Sequence, residues 1–292
     1  MKFKESGLMK VFAVIGDPVA HSKSPRIHNS AIQALGLNAI YTRFHLKKAS
    51  DLRDKIFELG LNGANITVPF KEEALKIADY KDEMALNIGS ANTLLVKGRE
   101  IHAYNTDGIG FLRAIAEFRG IKSTLILGAG GTAKALAFVL AKQGISVSVA
   151  NRSAGRFKDF APYQTFLYEN LAVNSYDLVI NTTSAGLKDE LLPCDERLLK
   201  GLLSKAKCAF EVIYGKQTPF LRLAKECQTP CKDGASMLLW QGVFAFELFF
   251  ELCSFENLSK NLTQPNAQNS AHLPTNQTHI LNAMQSALNL AF

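Results

Sequence analysis

Apolar positions along this chain alternate between two periods, and the alternation predicts the fold class. "KVFAVIG" (10–16), "AIYTRFHL" (39–46) and "GANITVPF" (63–70) are short β-branched and aromatic runs that read as strands, with Pro69 at the end of the third. Between them, "SPRIHNSAIQALG" (24–36) and "ASDLRDKIFELG" (49–60) carry helical spacing. Ser24 is placed to cap the first and Gly60 to close the second. "KEEALKIA" (71–78) opens another helix, and "SANTLLVKGREIHAYNTD" (90–107) reads as a hairpin turning at Gly98. From 107 the pattern restarts: a helix "DGIGFLRAIAEFRG", then strand, glycine turn, helix and strand in "STLILGAGGTAKALAFVLAKQGISVSVANR", then the strands of "YDLVINTTSAG" and "AKCAFEVIYG". Strands alternating with helices predict an α/β protein with mainly parallel sheets, whose ligands collect beyond the carboxyl ends of the strands.

Length adds a domain count. The 292 residues suit two domains, since one typically takes about 100–200. The expected division is a substrate-binding and catalytic domain over 1–106, a Rossmann-like dinucleotide-binding domain over 107–250, a polar loop over 251–278 and a helix over 279–292. "MLLWQGVFAFELFFEL" (237–252), interrupted by Gln241 and Glu247, reads as a core helix rather than a membrane span. The net charge of +7 comes from cations scattered along the chain. That argues against a nucleic-acid partner and suits an anionic cofactor. Five cysteines without a CxxC read as reduced thiols, and no signal-peptide core is apparent, so a cytoplasmic location is expected, with small-molecule partners and a monomer or homodimer.

Polar residues cluster where the topology sends ligands. "GDPVAHSKSPRIHN" (16–29) places two serines, two histidines, a lysine, an arginine and an asparagine at a strand-to-helix connection that needs only a cap. Ser22, Ser24, Asn65, Thr67, Lys71, Asn92 and Asp107 all fall at or just after expected strand ends. Lys71 and Asp107 are the expected proton-transfer pair: an ammonium can hydrogen-bond a substrate hydroxyl, and a neighbouring carboxylate orients it. Taken singly, each is equally a solvated surface residue. His21 and His28 lack a third ligand at suitable spacing, so no metal is expected.

In "LGAGGTAKA", the amides of Gly128, Gly130, Gly131 and Thr132 can meet a pyrophosphate at a helix N-terminus, with Ala129 inside the turn. Ala133 stands where a dinucleotide fingerprint has its third glycine and adds only a methyl. The next strand ends in Asn151, Arg152 and Ser153, with Arg156 beyond and no acid. Two guanidiniums favour a 2′-phosphate and hence NADP; the rival reading is a pair of surface arginines.

These motifs, together with "GANITVPFK", "GSANTL", "NTDGIGF", "NRSAGR", "NTTSAG", "EVIYGKQTPFL" and "DGASMLLWQG", resemble the shikimate dehydrogenase family in its order, from about Val11 to about Phe250. The resemblance implies NADPH-dependent reduction of 3-dehydroshikimate to shikimate, on the route to aromatic amino acids. It implies that Ser22 and Ser24 bind the substrate carboxylate, that Asn65, Thr67, Asn92, Asp107 and Gln241 hold hydroxyls, that Tyr214 lies near the carboxylate, and that Lys71 with Asp107 is the catalytic pair. For the cofactor it implies Thr182, Thr183 and Ser184 along the cleft, Met237 beside the nicotinamide, Gly234 approaching it by backbone, and Ile213 among the cofactor-binding residues. It also implies that the last helix returns to the first domain. Two positions depart from the family: Glu211 replaces the usual aspartate, and Gly215 the common asparagine. The alternatives are a quinate/shikimate dehydrogenase with relaxed cofactor use, a non-catalytic dinucleotide sensor, and a methylene-folate dehydrogenase.

Overall fold

The computed structural model describes residues 7–252 and 275–288. They form two compact units: residues 7–110, 239–252 and 275–288 make the first, and Phe111–Leu238 the second.

The first unit is built on a six-stranded sheet in the order β2-β1-β3-β5-β6-β4. Its strands are β1 (Lys10–Gly16), β2 (Ala39–His45), β3 (Gly63–Ile66), β4 (Tyr80–Lys81), β5 (Thr93–Lys97) and β6 (Glu100–Tyr104). β1 lies parallel to β2 and β3, whereas β5 and β6 form the expected antiparallel hairpin, with Gly98 at φ +63° in its turn. Phe12, Ala13, Val14 and Ile15 are all buried, as a central parallel strand requires. Successive side chains divide between the two faces. Ala13 and Ile15 join the core with Leu52 and Ile56 of α2 (Leu52–Glu58) and Ala74 of α3 (Lys71–Lys76). Phe12 turns the other way and stacks on Phe249 at 4.7 Å. On that face α1 (Ser24–Ala34) packs against the C-terminal helix, Ser30 Oγ donating to the Ala283 carbonyl at 2.8 Å.

A short helix, α4 (Glu83–Ile88), is invisible to periodicity at its length and is set by Asp82, whose carboxylate accepts from the Met84 and Ala85 amides. After the hairpin comes α5 (Asp107–Ala114), which opens on the expected acid.

The second unit is an all-parallel sheet in the order β12-β11-β10-β7-β8-β9. The strands are β7 (Ser123–Leu127), β8 (Ser146–Asn151), β9 (Gln164–Leu167), β10 (Leu178–Asn181), β11 (Cys208–Glu211) and β12 (Cys231–Lys232). This is the doubly wound dinucleotide-binding order, in which the strand sequence reverses between β7 and β10 and opens a crevice at their carboxyl ends.

Three boundaries differ from the sequence reading: the first unit runs on to Gly110 rather than 106, taking in the first turn of α5, and two others differ for a physical reason. The apolar helix over Ala235–Phe249, expected inside the dinucleotide domain, belongs from Leu239 onward to the first unit, because Phe246 and Phe249 pack against His28 and Phe12 there. The last helix begins at Thr275 rather than 279, within polar sequence that shows no apolar period. The remaining polar loop, 253–274, lies outside the described residues.

Candidate active site

In the first unit the site starts at α1. Ser24 is not its cap, contrary to expectation: Lys23 occupies that position with near-helical dihedrals and makes no side-chain capping bond. Ser22 does that work instead, its Oγ accepting from the Ser24 amide at 3.3 Å. The Ser24 hydroxyl is thereby released from backbone duty and lies 3.2 Å from Ser22 Oγ, both residues buried. Arg43 fixes this corner from β2, its Nη2 and Nε donating to the Ser22 carbonyl at 2.6 and 3.1 Å.

Asn65, at the end of β3, is buried and engaged at both amide atoms. Its Oδ1 accepts from Tyr41 Oη at 2.7 Å, while its Nδ2 donates to Thr93 Oγ1 at 3.0 Å and to the Asn92 carbonyl at 3.3 Å. Tyr41 is itself stacked on the buried His28 ring, centroids 4.2 Å apart and planes 7° from parallel. Thr67 crosses so close to β1 that a Cβ at Gly16 would lie 2.3 Å from its methyl, which explains the glycine.

Lys71 and Asp107, thirty-six positions apart, meet: Nζ lies 2.6 Å from Oδ2. Their side chains are only 14% and 10% exposed, so the pair is shielded yet reachable. The second carboxylate oxygen accepts from Asn92 Nδ2 at 2.8 Å, and that amide also lies 3.0 Å from Thr106 Oγ1 and 3.5 Å from Gln241 Oε1. Asp107 is thus held from both sides, and Lys71, with three ammonium donors, gives one to it and keeps others for a ligand oxygen. Among the described residues no group of three or more His, Cys, Asp or Glu is placed to hold a metal ion.

In the second unit the turn after β7 enters α6 (Gly131–Lys142). Gly128 takes φ +105°, and a Cβ there would sit 2.6 Å from Thr182 Oγ1, across the reversal point of the sheet. At Gly130 and Gly131 a Cβ would meet nothing within 4 Å. Open space in front of a helix N-terminus with free-pointing amides fits a dinucleotide pyrophosphate. Ala133 is fully buried, so its methyl is accommodated within the helix packing. After β8, Asn151 Nδ2 donates to the Ser153 carbonyl at 2.9 Å, and Arg152 and Arg156 are exposed. Arg156 Nε lies 3.5 Å from Asp159 Oδ2, which also pairs with Lys134.

Beyond β10, Thr182 Oγ1 donates to the Leu127 carbonyl at 2.7 Å, Thr183 folds onto Asn181 Oδ1, and Ser184 is exposed. Ile213 and Met237 are buried and Tyr214 is half-buried. Gly234 admits no side chain, since a Cβ would lie 2.2 Å from the Val212 carbonyl.

The family model described as the shikimate dehydrogenase substrate binding domain matches residues 14–94. The chain is 47% identical over 246 residues to "Shikimate dehydrogenase (NADP(+))" of Helicobacter hepaticus, covering 83% of this chain and 91% of that protein. The chain belongs to the shikimate dehydrogenase family. The similarly named Helicobacter pylori protein is 44% identical, over 82% of this chain and 92% of its own. Among solved structures, shikimate 5-dehydrogenase from Thermus thermophilus, in complex with NADP(H) and shikimate, superposes with a TM-score of 0.76 at 31% identity. The match covers 96% of this chain and all (100%) of that one.

The two departures from the shikimate dehydrogenase pattern are readable in the structure. Gly215 sits at φ +77°, the left-handed region that glycine and asparagine both tolerate, and donates its amide to Asp233. Glu211 is fully buried at the end of β11, and burial pushes its carboxyl up to about 7 despite the hydrogen bonds it accepts. Tyr41 and Arg43 escaped the sequence reading. Two positions apart on β2, they share a face of the sheet, and each looks like an ordinary buried aromatic or surface cation; only their neighbours in the fold, Asn65 for Tyr41 and the Ser22 carbonyl for Arg43, show what they hold.

Proposed function

We propose that this chain is an NADP-dependent shikimate dehydrogenase, reversibly reducing the 3-oxo group of 3-dehydroshikimate to the hydroxyl of shikimate. The Lys71–Asp107 contact at 2.6 Å carries the reading, with Asn92 behind the carboxylate. Ser22 and Ser24 take the substrate carboxylate at a corner secured by Arg43, Ser24 through a hydroxyl free of helix capping and Ser22 through a hydroxyl whose oxygen accepts the Ser24 amide while its proton can turn to the ligand. Thr67 and Gln241 take ring hydroxyls, and Tyr214 contacts the substrate near its carboxylate. Asn65 has both amide hydrogens engaged, so it serves a ring hydroxyl as an acceptor through the second lone pair of Oδ1. Asn92 is similarly occupied and contributes chiefly by orienting Asp107.

NADP fits the second unit. Gly128, Ala129, Gly130, Gly131, Thr132 and Ala133 form the pyrophosphate turn; Asn151, Arg152, Ser153 and Arg156 receive the adenosine end with its 2′-phosphate. Thr182, Thr183, Ser184, Ile213, Gly234 and Met237 line the nicotinamide end. The cofactor supplies hydride in the reducing direction and accepts it in the other. Lys71 donates a proton to the oxygen that becomes the hydroxyl, and takes it back on oxidation. Asp107 holds the ammonium on that oxygen and hydrogen-bonds a ring hydroxyl. A proton donor at a developing alkoxide acts mainly on the transition state. The proposed partners are these small molecules alone, for a monomer or homodimer; among the described residues Cys194, Cys208, Cys227 and Cys231 are free thiols, which suits a reducing cytoplasm.

The test is steady-state kinetics, following nicotinamide absorbance with shikimate and NADP, of wild type and Lys71→Ala beside a circular-dichroism melt. The expected outcome is a native melt, a KM for shikimate within about tenfold, and a kcat lowered by about 10²-fold or more. A folded variant with near-normal kcat removes Lys71 from the mechanism.

A further inference from the structure

One buried acid takes no part in this chemistry yet joins the segments that surround it. Glu211 Oε2 accepts from Asn181 Nδ2 and from Thr218 Oγ1, each at 2.9 Å, and Oε1 accepts from the Ile213 amide at 3.1 Å. The carboxyl is wholly buried and all three partners are donors, so its acceptor capacity is what the surroundings are built to use.

Each bond continues into a chain. Asn181, with its nitrogen committed to Glu211, turns Oδ1 to the Thr183 amide and hydroxyl at 3.0 and 2.8 Å, and Thr183 Oγ1 in turn accepts from the Ala185 amide at 3.2 Å. Thr182, caught between them, reaches the Leu127 carbonyl beside the glycine turn. Thr218 is the cap of the helix Pro219–Glu226, accepting from the Leu221 amide while its proton goes to Glu211. The third bond sets Ile213, and with it the path of the chain into Tyr214.

We infer that Glu211 is a positioning residue for cofactor binding, its carboxylate locking the segment 181–185 to the segment 211–218 so that both present a fixed surface to the nicotinamide end of NADP. This rests on the proposed reading that those segments line the cofactor site. Glutamine keeps the volume but turns one oxygen into an amide nitrogen. In the Oε2 place that nitrogen is met by Thr218, which can reverse its hydroxyl, but not by Asn181 Nδ2; in the Oε1 place it faces the Ile213 amide, so either orientation releases one of the two arms. Aspartate keeps both acceptors on a shorter stem.

The experiment measures NADP dissociation constants by calorimetry without shikimate, then kcat at saturating NADP, for wild type, Glu211→Gln and Glu211→Asp, each well below its melting temperature. Expected are a dissociation constant raised about tenfold or more in Glu211→Gln, a saturated kcat within about threefold of wild type, and Glu211→Asp within about threefold on both. A Glu211→Gln protein that binds NADP as wild type does, or that loses kcat alone, overturns the inference. If Glu211→Gln does not fold, Thr218→Val takes its place: raised dissociation supports the lock, and unchanged dissociation overturns it. Wild type that binds no NADP overturns the underlying functional reading instead.

Discussion

His28 has its ring in the core of the first unit with neither nitrogen hydrogen-bonded among the described residues, and burial lowers its pKa to about 3. The unfolded chain therefore binds a proton from about pH 6.5 downward that the folded chain refuses. The stability contributed by neutral His28 is full above pH 6.5 and drains away as pH falls toward 3, by up to about 1.4 kcal/mol per pH unit. Glu211 works with the opposite sign: its folded pKa is raised to about 7, so its contribution is full below about pH 4.5 and is lost as pH rises through 7. Between pH 4.5 and 6.5 the two offset. Urea titrations across this range should show a nearly flat wild type and a His28→Phe variant that loses stability as pH rises; parallel curves would refute the account. Arg152 belongs to the same scale. A charge-assisted contact to phosphate is worth about 1.5–3 kcal/mol, so Arg152→Ala should raise KM for NADP by roughly ten- to a hundredfold and leave that for NAD nearly unchanged. Equal losses with both cofactors would count against a 2′-phosphate contact.

At the scale of elements, the β7–α6 turn separates two uses of glycine that a sequence writes with one letter. Gly128 is required by its left-handed backbone and by Thr182; Gly131 has conventional dihedrals and empty space where a side chain would go. Gly128→Ala should therefore lower the melting temperature. Gly131→Ala, in the first turn of α6, should leave the melt unchanged or raise it slightly, since alanine is the better helix former by up to about 1 kcal/mol, while weakening NADP binding at least tenfold. A Gly131→Ala protein with normal NADP affinity would show that the pyrophosphate lies elsewhere. The strand–glycine–helix order of this turn was legible because every signal in it is local. So was the polar cluster of 16–29, although the capping role passed from Ser24 to Ser22, because helix starts are decided by dihedrals that shift by one residue at little cost.

The whole molecule decides which unit an apolar helix serves. The C-terminal helix buries Ile280, Met284 and Leu288 and packs on α1, the helix whose start carries the serine pair. Fully burying such side chains is worth about 1.5–3 kcal/mol each. A chain ending at residue 274 should lose several kcal/mol in denaturant titration and bind shikimate more weakly, yet bind NADP within about threefold of the full chain; undiminished stability would mean that the helix is dispensable. By itself, the sequence determined the α/β class, the order of most strands and helices, the glycine turn with its two following arginines, and the residue types gathered at strand ends. These rest on periodicity and on contacts within a few residues. Only the tertiary structure decided that Lys71 meets Asp107, that Asn92 and Gln241 stand together across 149 positions, that the apolar helix joins the first unit from Leu239, and that Glu211 links two loops. Each depends on which strands become neighbours, and strand order follows from burying all the apolar faces at once, a condition no local stretch of the chain contains.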